Sequence, residues 1–156
     1  MSDPNVDKWR QKGRFYLWTY KENTKNYPGW HMTVDSIGAT ALLELFELMS
    51  SAKYSAIAKL QVSEPDKDIL KVPNNKNGAA KWSSVPQLKI KYPKDQCSDN
   101  HWVLNKNNGE FTLELGKNKL EEIKKGILDI SNQEGDYAIG PDNDQFEYEC
   151  LWFWWN

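Results

Sequence analysis

The chain has 156 residues, of which 39% are hydrophobic and 27% are charged, and its formal net charge is -2. These values are typical of one globular domain and exclude a disordered chain. The slightly acidic balance argues against a nucleic-acid partner, which would need a basic surface. We therefore expect a single domain over residues 1–156.

The N-terminal residues are polar, and the apolar runs are far shorter than a membrane span, so we expect neither a secretion signal nor a membrane partner. The chain has two cysteines, Cys97 and Cys150. Two cysteines do not make a disulfide framework, which favours reduced thiols. We expect a cytoplasmic protein of a bacterial kind.

Residues 1–13 are predicted to be a loosely ordered lead-in. The aromatic run Arg14–Tyr20 has no breaker and predicts a strand that is apolar on both faces. A polar loop follows, and Gly29–Met32 then leads into a helix. Thr33 or Asp35 is the predicted N-cap, since either side chain can accept from a free N–H of the first turn.

This helix runs to about Ser51, and its wide apolar arc predicts packing against a sheet. Tyr54–Val62 is the next predicted strand. Residues 63–86 form a long irregular loop rich in Pro, Asn, Lys and Gly, and long loops are often functional. Gln87–Tyr92 alternates apolar and lysine residues, which predicts a half-buried strand.

A hairpin follows, with a two-residue turn at Asn108-Gly109. This register pairs Trp102 with Leu115 and Leu104 with Leu113, which places both apolar rows on one face.

The second helix is predicted to begin near Asn118, with Glu121 completing a capping box. Asp136–Gly140 is a short predicted strand, and a turn leads into a final strand at Phe146–Trp155. That strand alternates at first and then becomes apolar on both faces, which predicts a covered far end. We expect it to lie beside the first strand.

Together these elements predict an α+β domain, with a mostly antiparallel sheet of about six or seven strands and two helices on one face. No family signature is recognised.

Two functional interpretations remain open. In the first, the protein is a non-enzymatic protein-binding module, for example an inhibitor or immunity protein whose acidic face binds a basic partner. No Lys or Arg follows Lys125, whereas seven Asp or Glu residues do. The predicted interface residues are Trp82 in the irregular loop and Glu147 and Glu149 in the final strand.

In the second, a pocket at the start of the first helix holds a small ligand. Free N–H groups at a helix start suit an anion, and a histidine would line the pocket beside them. The predicted ligand-binding residues are Tyr20, Tyr27, Trp30 and His31. A nucleic-acid site along the lysines from Lys71 to Lys94 is a weaker third interpretation.

The sequence contains no recognisable catalytic or metal-binding motif. Cys97, Asp99 and His101 match no standard zinc spacing. No phosphate-binding glycine loop and no G-x-S-x-G motif occurs. We therefore predict no catalytic residue, no metal and no cofactor, and enzymatic activity is not the favoured interpretation.

Overall fold

The computed structural model describes residues 3–22, 27–73, 75, 78–107 and 109–155. The helices are α1 (Pro4–Asp7), α2 (Ser36–Ser50), α3 (Lys117–Ser131) and α4 (Phe146–Glu149). The strands are β1 (Phe15–Tyr20), β2 (Trp30–Val34), β3 (Ala56–Ser63), β4 (Trp82–Ser84), β5 (Gln87–Tyr92), β6 (Trp102–Asn107), β7 (Glu110–Leu115), β8 (Tyr137–Ile139) and β9 (Leu151–Phe153).

The strands form one sheet in the order β6-β7-β5-β3-β1-β2-β9-β8, and β4 pairs with β1. Among the described residues, three of the eight strand pairs are parallel: β1 with β3, β2 with β9, and β5 with β7. The α+β class is confirmed, but the prediction of a mostly antiparallel sheet was wrong. Side-chain alternation shows which face of a strand is buried, and it carries no information on the direction of the neighbouring strand.

The sheet is curled, so that strands far apart in its order meet on its inner face. The rings of Trp30 in β2 and Phe111 in β7 are 4.4 Å apart between centroids, although β1, β3 and β5 lie between these strands in the sheet. The inner face and the buried sides of α2 and α3 form a single hydrophobic cluster, which we call the inner core.

Helix α2 begins as predicted, because Asp35 accepts a hydrogen bond from the Gly38 N–H at 2.6 Å. Helix α3 does not begin as predicted: its N-cap is Gly116, which provides no side-chain cap. The Asn118 side chain instead donates to the Asn100 side chain at 2.9 Å. Gly126 lets α3 approach β9 closely, since a Cβ at this position would lie 2.7 Å from the Phe153 ring.

The predicted β5 strand and the hairpin register are confirmed. Strands β6 and β7 pair Trp102 with Leu115 and Leu104 with Leu113. The first turn residue, Asn108, lies outside the described residues. Within the predicted loop 63–86, residues 82–84 form β4 beside β1.

A second hydrophobic cluster covers the outer face of the sheet centre, and we call it the outer cluster. Its buried rings come from β1 and from the residue after β9, and its aliphatic residues come from residues 69–80. Its buried members are Trp18, Tyr20, Ile69, Leu70, Val72, Ala80 and Trp154. Strand β9 is therefore covered on both faces, as its two-sided apolar pattern predicted, but Trp155 at the end of the predicted run is 52% exposed.

Two local predictions were wrong. The residues before α2 were predicted to lead from a loop into a helix, but they form the strand β2. In this strand Trp30, Met32 and Val34 alternate with His31 and Thr33. This alternation has the period of a strand.

The predicted strand Phe146–Trp155 is divided between the helical turn α4 and the shorter strand β9. Strand β9 is separated from β1 by β2, so the first and final strands are not neighbours.

Candidate functional site

The predicted ligand residues lie on two faces of the sheet. Tyr20 and Tyr27 lie close to His31 in the outer cluster, where the Tyr20 and His31 ring centroids are 4.8 Å apart. Trp30 precedes His31 in β2 and points to the inner core, where it packs on Phe111. The structure therefore brings three of the four residues together.

His31 is not at a helix N-terminus but in the middle of β2, with 0% of its surface exposed. Its ring lies nearly parallel to two indoles, with centroids 5.7 Å from Trp18 and 6.1 Å from Trp154. Burial of this polar ring requires hydrogen-bond partners for both nitrogens.

Both nitrogens of His31 have such a partner. The Trp154 indole N–H donates to Nδ1 at 2.9 Å, and Nε2 lies 3.2 Å from the Tyr27 carbonyl oxygen. An indole N–H can only donate, and a carbonyl oxygen can only accept. The ring proton therefore lies on Nε2. In this arrangement His31 offers an additional ligand neither a free proton nor a free lone pair.

Burial lowers the pKa of His31 from its usual value to about 3, since a charged imidazolium would lose its hydration; the hydrogen bond to Tyr27 opposes this effect only in part. His31 is therefore neutral near pH 7. It acts as a fixed polar connection between β2 and the residue after β9, and it differs from an exposed histidine that exchanges protons with substrate.

The loop that covers this cluster is tied to it by hydrogen bonds. The Tyr20 hydroxyl donates to the Leu70 carbonyl oxygen at 2.7 Å, and the Asn75 side chain donates to the same oxygen at 2.9 Å. Burial raises the pKa of Tyr20, which keeps the hydroxyl protonated as a donor. Trp82 is partly buried and packs against the outer cluster from β4, so only part of its ring is accessible.

The other predicted site lies at α4, where an exposed turn carries both aromatic and acidic side chains. Tyr148 is 72% exposed and Phe146 is 37% exposed. Asp144 and Glu147 are also exposed. We call Asp144, Phe146, Glu147 and Tyr148 the acidic-aromatic surface. The sequence prediction included Glu147 and missed the two rings, because a strand would have buried Phe146 and Tyr148 together.

Glu149 has a different role from Glu147, although both were predicted to be interface residues. Its carboxylate accepts from the Leu104 N–H at 3.1 Å, and its carbonyl oxygen accepts from the Trp102 indole N–H at 2.6 Å. Leu104 lies in β6 at the edge of the sheet, where an N–H has no neighbouring strand. Glu149 therefore attaches α4 to this edge and satisfies a free donor there.

The charges near α4 are unequally compensated. The Lys119 ammonium contacts Asp142 at 2.9 Å and Glu122 at 3.1 Å. Within the described part of the chain, neither Asp144 nor Glu147 has an ion-pair partner. The acidic-aromatic surface thus retains two carboxylates that a basic partner could neutralise.

The remaining candidate residues do not assemble into a reactive group. Cys97 and Cys150 are free thiols, and burial raises the pKa of Cys150 to about 11. His101 contacts the Glu114 carboxylate at 2.9 Å. Across the described ranges, no three His, Cys, Asp or Glu side chains are placed to hold a metal ion. No helix in those ranges is both long and apolar enough to cross a membrane.

Comparison of the chain with protein families, with curated proteins and with solved structures finds no match in any of the three.

Proposed function

We propose that the protein is a protein-binding module whose acidic-aromatic surface binds a basic segment of a partner. The supporting observation is the exposure of Phe146 and Tyr148 beside uncompensated carboxylates on a turn fixed to the sheet. An inhibitor or immunity protein acting on a basic toxin domain is one form of this function.

The exposed rings support binding to a protein rather than simple solvation of the turn. Large aromatic side chains are enriched in interfaces, since they bury much surface and lose little conformational entropy. Tyr148 can supply both apolar contact and a hydroxyl donor. Two such rings within three residues of one turn form a compact apolar contact area.

The charges support a basic partner. Glu147 and Asp144 lie beside the rings, so a Lys or Arg side chain that stacks on Tyr148 would also approach a carboxylate. Such charges accelerate encounter and fix orientation, so we expect the affinity to fall as salt rises.

The attachment of α4 to β6 supports a preformed surface. Because Glu149 and Trp102 hold the turn against the sheet, the partner would not have to order it on binding. The two free thiols support a reducing, cytoplasmic setting for this module.

The proposal can be tested by peptide-display selection on the purified protein, followed by affinity measurements on one selected peptide. We expect enrichment of peptides rich in Lys or Arg. Glu147→Lys should weaken binding about tenfold, as expected for loss of a charged contact together with new repulsion. Tyr148→Ala should weaken it by a similar factor.

Glu44→Lys is the matched control, because Glu44 is an exposed acid of α2 and its substitution makes the same change in net charge. It should leave the affinity within about twofold of the wild-type value, since exposed charges distant from the contact are largely screened. Selection without basic enrichment, or equal binding by Glu147→Lys and the wild type, would contradict the proposal.

The small-ligand function around Tyr20, Tyr27, Trp30 and His31 has less support. Both nitrogens of His31 are engaged, and Trp30 faces away from it. A ligand would have to displace Tyr27 or Trp154 from the imidazole. A thermal-shift screen of metals, nucleotides, sugars and anions tests this function, and a hit that is lost in His31→Asn would favour it.

A further inference from the structure

One edge of β3 has no strand beside it over most of its length. Strand β1 pairs with only the last two residues of β3, Val62 and Ser63. Upstream of Phe15 the chain could continue this parallel pairing, but Gly13 has a φ of +72° and turns it towards the start of α2. The turn is tight, because a Cβ at Gly13 would lie 2.1 Å from the Gly38 nitrogen. The rest of β3 therefore has β5 on one side and no described strand on the other.

The N-terminal segment is attached to this edge at two points. The Asp3 N–H donates to the Ser55 carbonyl oxygen at 3.0 Å. The Gln61 N–H donates to the side-chain oxygen of Gln11 at 2.7 Å, and the side-chain nitrogen of Gln11 donates to the Gln61 carbonyl oxygen at 3.0 Å. The Gln11 amide thus pairs with Gln61 as the peptide group of a neighbouring strand would. The edge from Ser55 to Gln61 is about 20 Å long, at about 3.3 Å per residue.

The Lys59 peptide group lies on this edge between the two attachments. The N–H groups of Gln61 and Val62 point to opposite edges of β3, because Val62 donates to the Pro86 carbonyl oxygen on the β5 side. By this alternation, Lys59 directs its N–H and C=O to the same edge as Gln61 does. Neither group has a hydrogen-bond partner within the part of the chain that the structure describes. Such groups on a strand edge favour pairing with another extended chain.

A cavity of about 250 Å³ lies at this edge, between β3 and the N-terminal segment. Val6 and Trp9 form apolar parts of its lining, and Arg10 and Lys59 contribute exposed cationic side chains. Asp7 is the acidic residue of the lining, so one positive charge is in excess. The cavity thus combines backbone hydrogen-bonding groups, an apolar surface and a cationic rim.

We propose that this edge of β3 binds an extended acidic segment of a partner protein as a short added strand. The Lys59 N–H and C=O pair with the backbone of the segment, and one of its apolar side chains packs against Trp9. Its carboxylates approach Lys59 and the cations of residues 8–14, which include four Lys or Arg and no Asp or Glu. In this mode of recognition, backbone pairing supplies affinity and side chains supply specificity. The site shares no residue with the acidic-aromatic surface, and its partner has the opposite charge.

The test uses three synthetic pentapeptides with blocked termini on the full chain, with binding followed by NMR at the Lys59 amide. The first peptide alternates glutamate and valine. The second has the same side chains and methyl groups on two adjacent backbone nitrogens, which removes a donor from each edge of the peptide. The third has lysine in place of glutamate. The first peptide should slow hydrogen exchange of the Lys59 amide and bind there about tenfold more tightly than either of the others.

Two variants of the chain test the same site. Gln11→Ala frees the Gln61 peptide group for the added strand, so it should strengthen binding of the first peptide. Lys59→Gln keeps the backbone and removes one charge, so it should weaken binding about threefold, as for one exposed ion pair. Lys117→Gln is the matched control, because Lys117 is an exposed lysine of α3 outside the cavity lining. It should bind the first peptide as the wild type does.

Equal binding of the first peptide and its methylated form would show that charge alone attracts the peptide, and would overturn the proposal. An unchanged exchange rate at the Lys59 amide in the presence of the first peptide would do the same. Both results come from the wild-type chain, so they stand even where a variant fails to fold. The lysine peptide is expected to shift signals at α4 if the acidic-aromatic surface binds basic segments, and its binding there is measured separately from that at Lys59.

Discussion

The central strands of the sheet and the strands to one side of them differ in what covers their two faces. The strands β1, β2 and β9 are covered by the inner core on one face and by the outer cluster on the other. The strands β3, β5 and β7 bury only their inner face. Their outer-face residues are exposed or half-buried, and they are Ile57, Lys59, Gln61, Gln87, Lys89, Lys91, Glu110, Thr112 and Glu114.

This difference explains why a histidine is buried in one region and lysines remain at the surface of the other. A polar side chain in a doubly covered strand has only protein groups as possible partners, and His31 uses Trp154 and Tyr27. A polar side chain on the outer face of β5 can use water instead. Substitutions in the centre should therefore have much larger effects on stability than substitutions on the outer face.

The largest effect is expected for His31→Ala. The variant would leave the Trp154 indole N–H without its acceptor and would open a space beside the Trp18 and Trp154 indoles. We expect a loss of about 4 kcal/mol in the free energy of unfolding, from the combined cavity and unsatisfied-donor terms. Chemical denaturation followed by Trp fluorescence measures this. A loss below about 1 kcal/mol would contradict the assigned role of His31.

Acid should destabilise the centre through the same residue. The pKa of His31 is about 3 in the folded protein and near its ordinary value of 6.5 in the unfolded chain. Between these values the unfolded chain binds more protons, so stability falls as pH decreases through 6.5 and continues to fall towards pH 3. The slope should approach about 1.4 kcal/mol per pH unit.

His31→Asn is the matched control for this pH dependence. Its side-chain oxygen can still accept a hydrogen bond, and the side chain does not titrate. The difference in unfolding free energy between wild type and variant should therefore shrink as the pH falls. A difference that stays constant between pH 7 and pH 4 would refute the assignment.

A smaller effect is expected for Tyr20→Phe. The variant loses the hydrogen bond to the Leu70 carbonyl oxygen, which still accepts from Asn75. We expect a loss of about 1 kcal/mol, as is typical for one hydrogen bond whose acceptor keeps a partner. Limited proteolysis should also become faster within residues 63–73. An unchanged cleavage rate would show that Tyr20 does not hold this segment down.

The smallest effect is expected on the outer face, for Lys91→Thr. Lys91 pairs with Ile57 across the ladder on the half-exposed face of β5. Threonine fits a strand well, and substitutions at exposed positions usually change stability by less than about 0.5 kcal/mol. Thermal unfolding measures this. A loss comparable to that of His31→Ala would remove the distinction between the two regions.

The sequence correctly predicted those elements whose pattern of apolar and polar residues fits only one kind of secondary structure. Strand β5 and the β6–β7 hairpin were predicted because alternating residues bury one face, and the hairpin register follows from the short turn. Asp35 was one of two predicted caps, with Thr33, because both side chains precede a long apolar helix; Thr33 lies in β2 instead.

Where a pattern fits two structures, the prediction failed. Phe146, Tyr148 and Cys150 alternate with glutamates as in a strand, but the first two are exposed on α4. Trp30, Met32 and Val34 also alternate. These residues were predicted to lead into a helix because a helix cap follows them directly. The hydrogen bonds of His31 were beyond prediction, because Trp154 reaches it only through the parallel pairing of β2 with β9.

The contact between Trp154 and His31 joins residues 123 positions apart in the chain. Contacts of this kind require closure of a large loop before they contribute any stability, and chains rich in them fold slowly. The β6–β7 hairpin, in contrast, closes over a few residues. We expect the hairpin to form early and the stacked rings around His31 to assemble in the last kinetic phase, with the change in indole fluorescence as its signal.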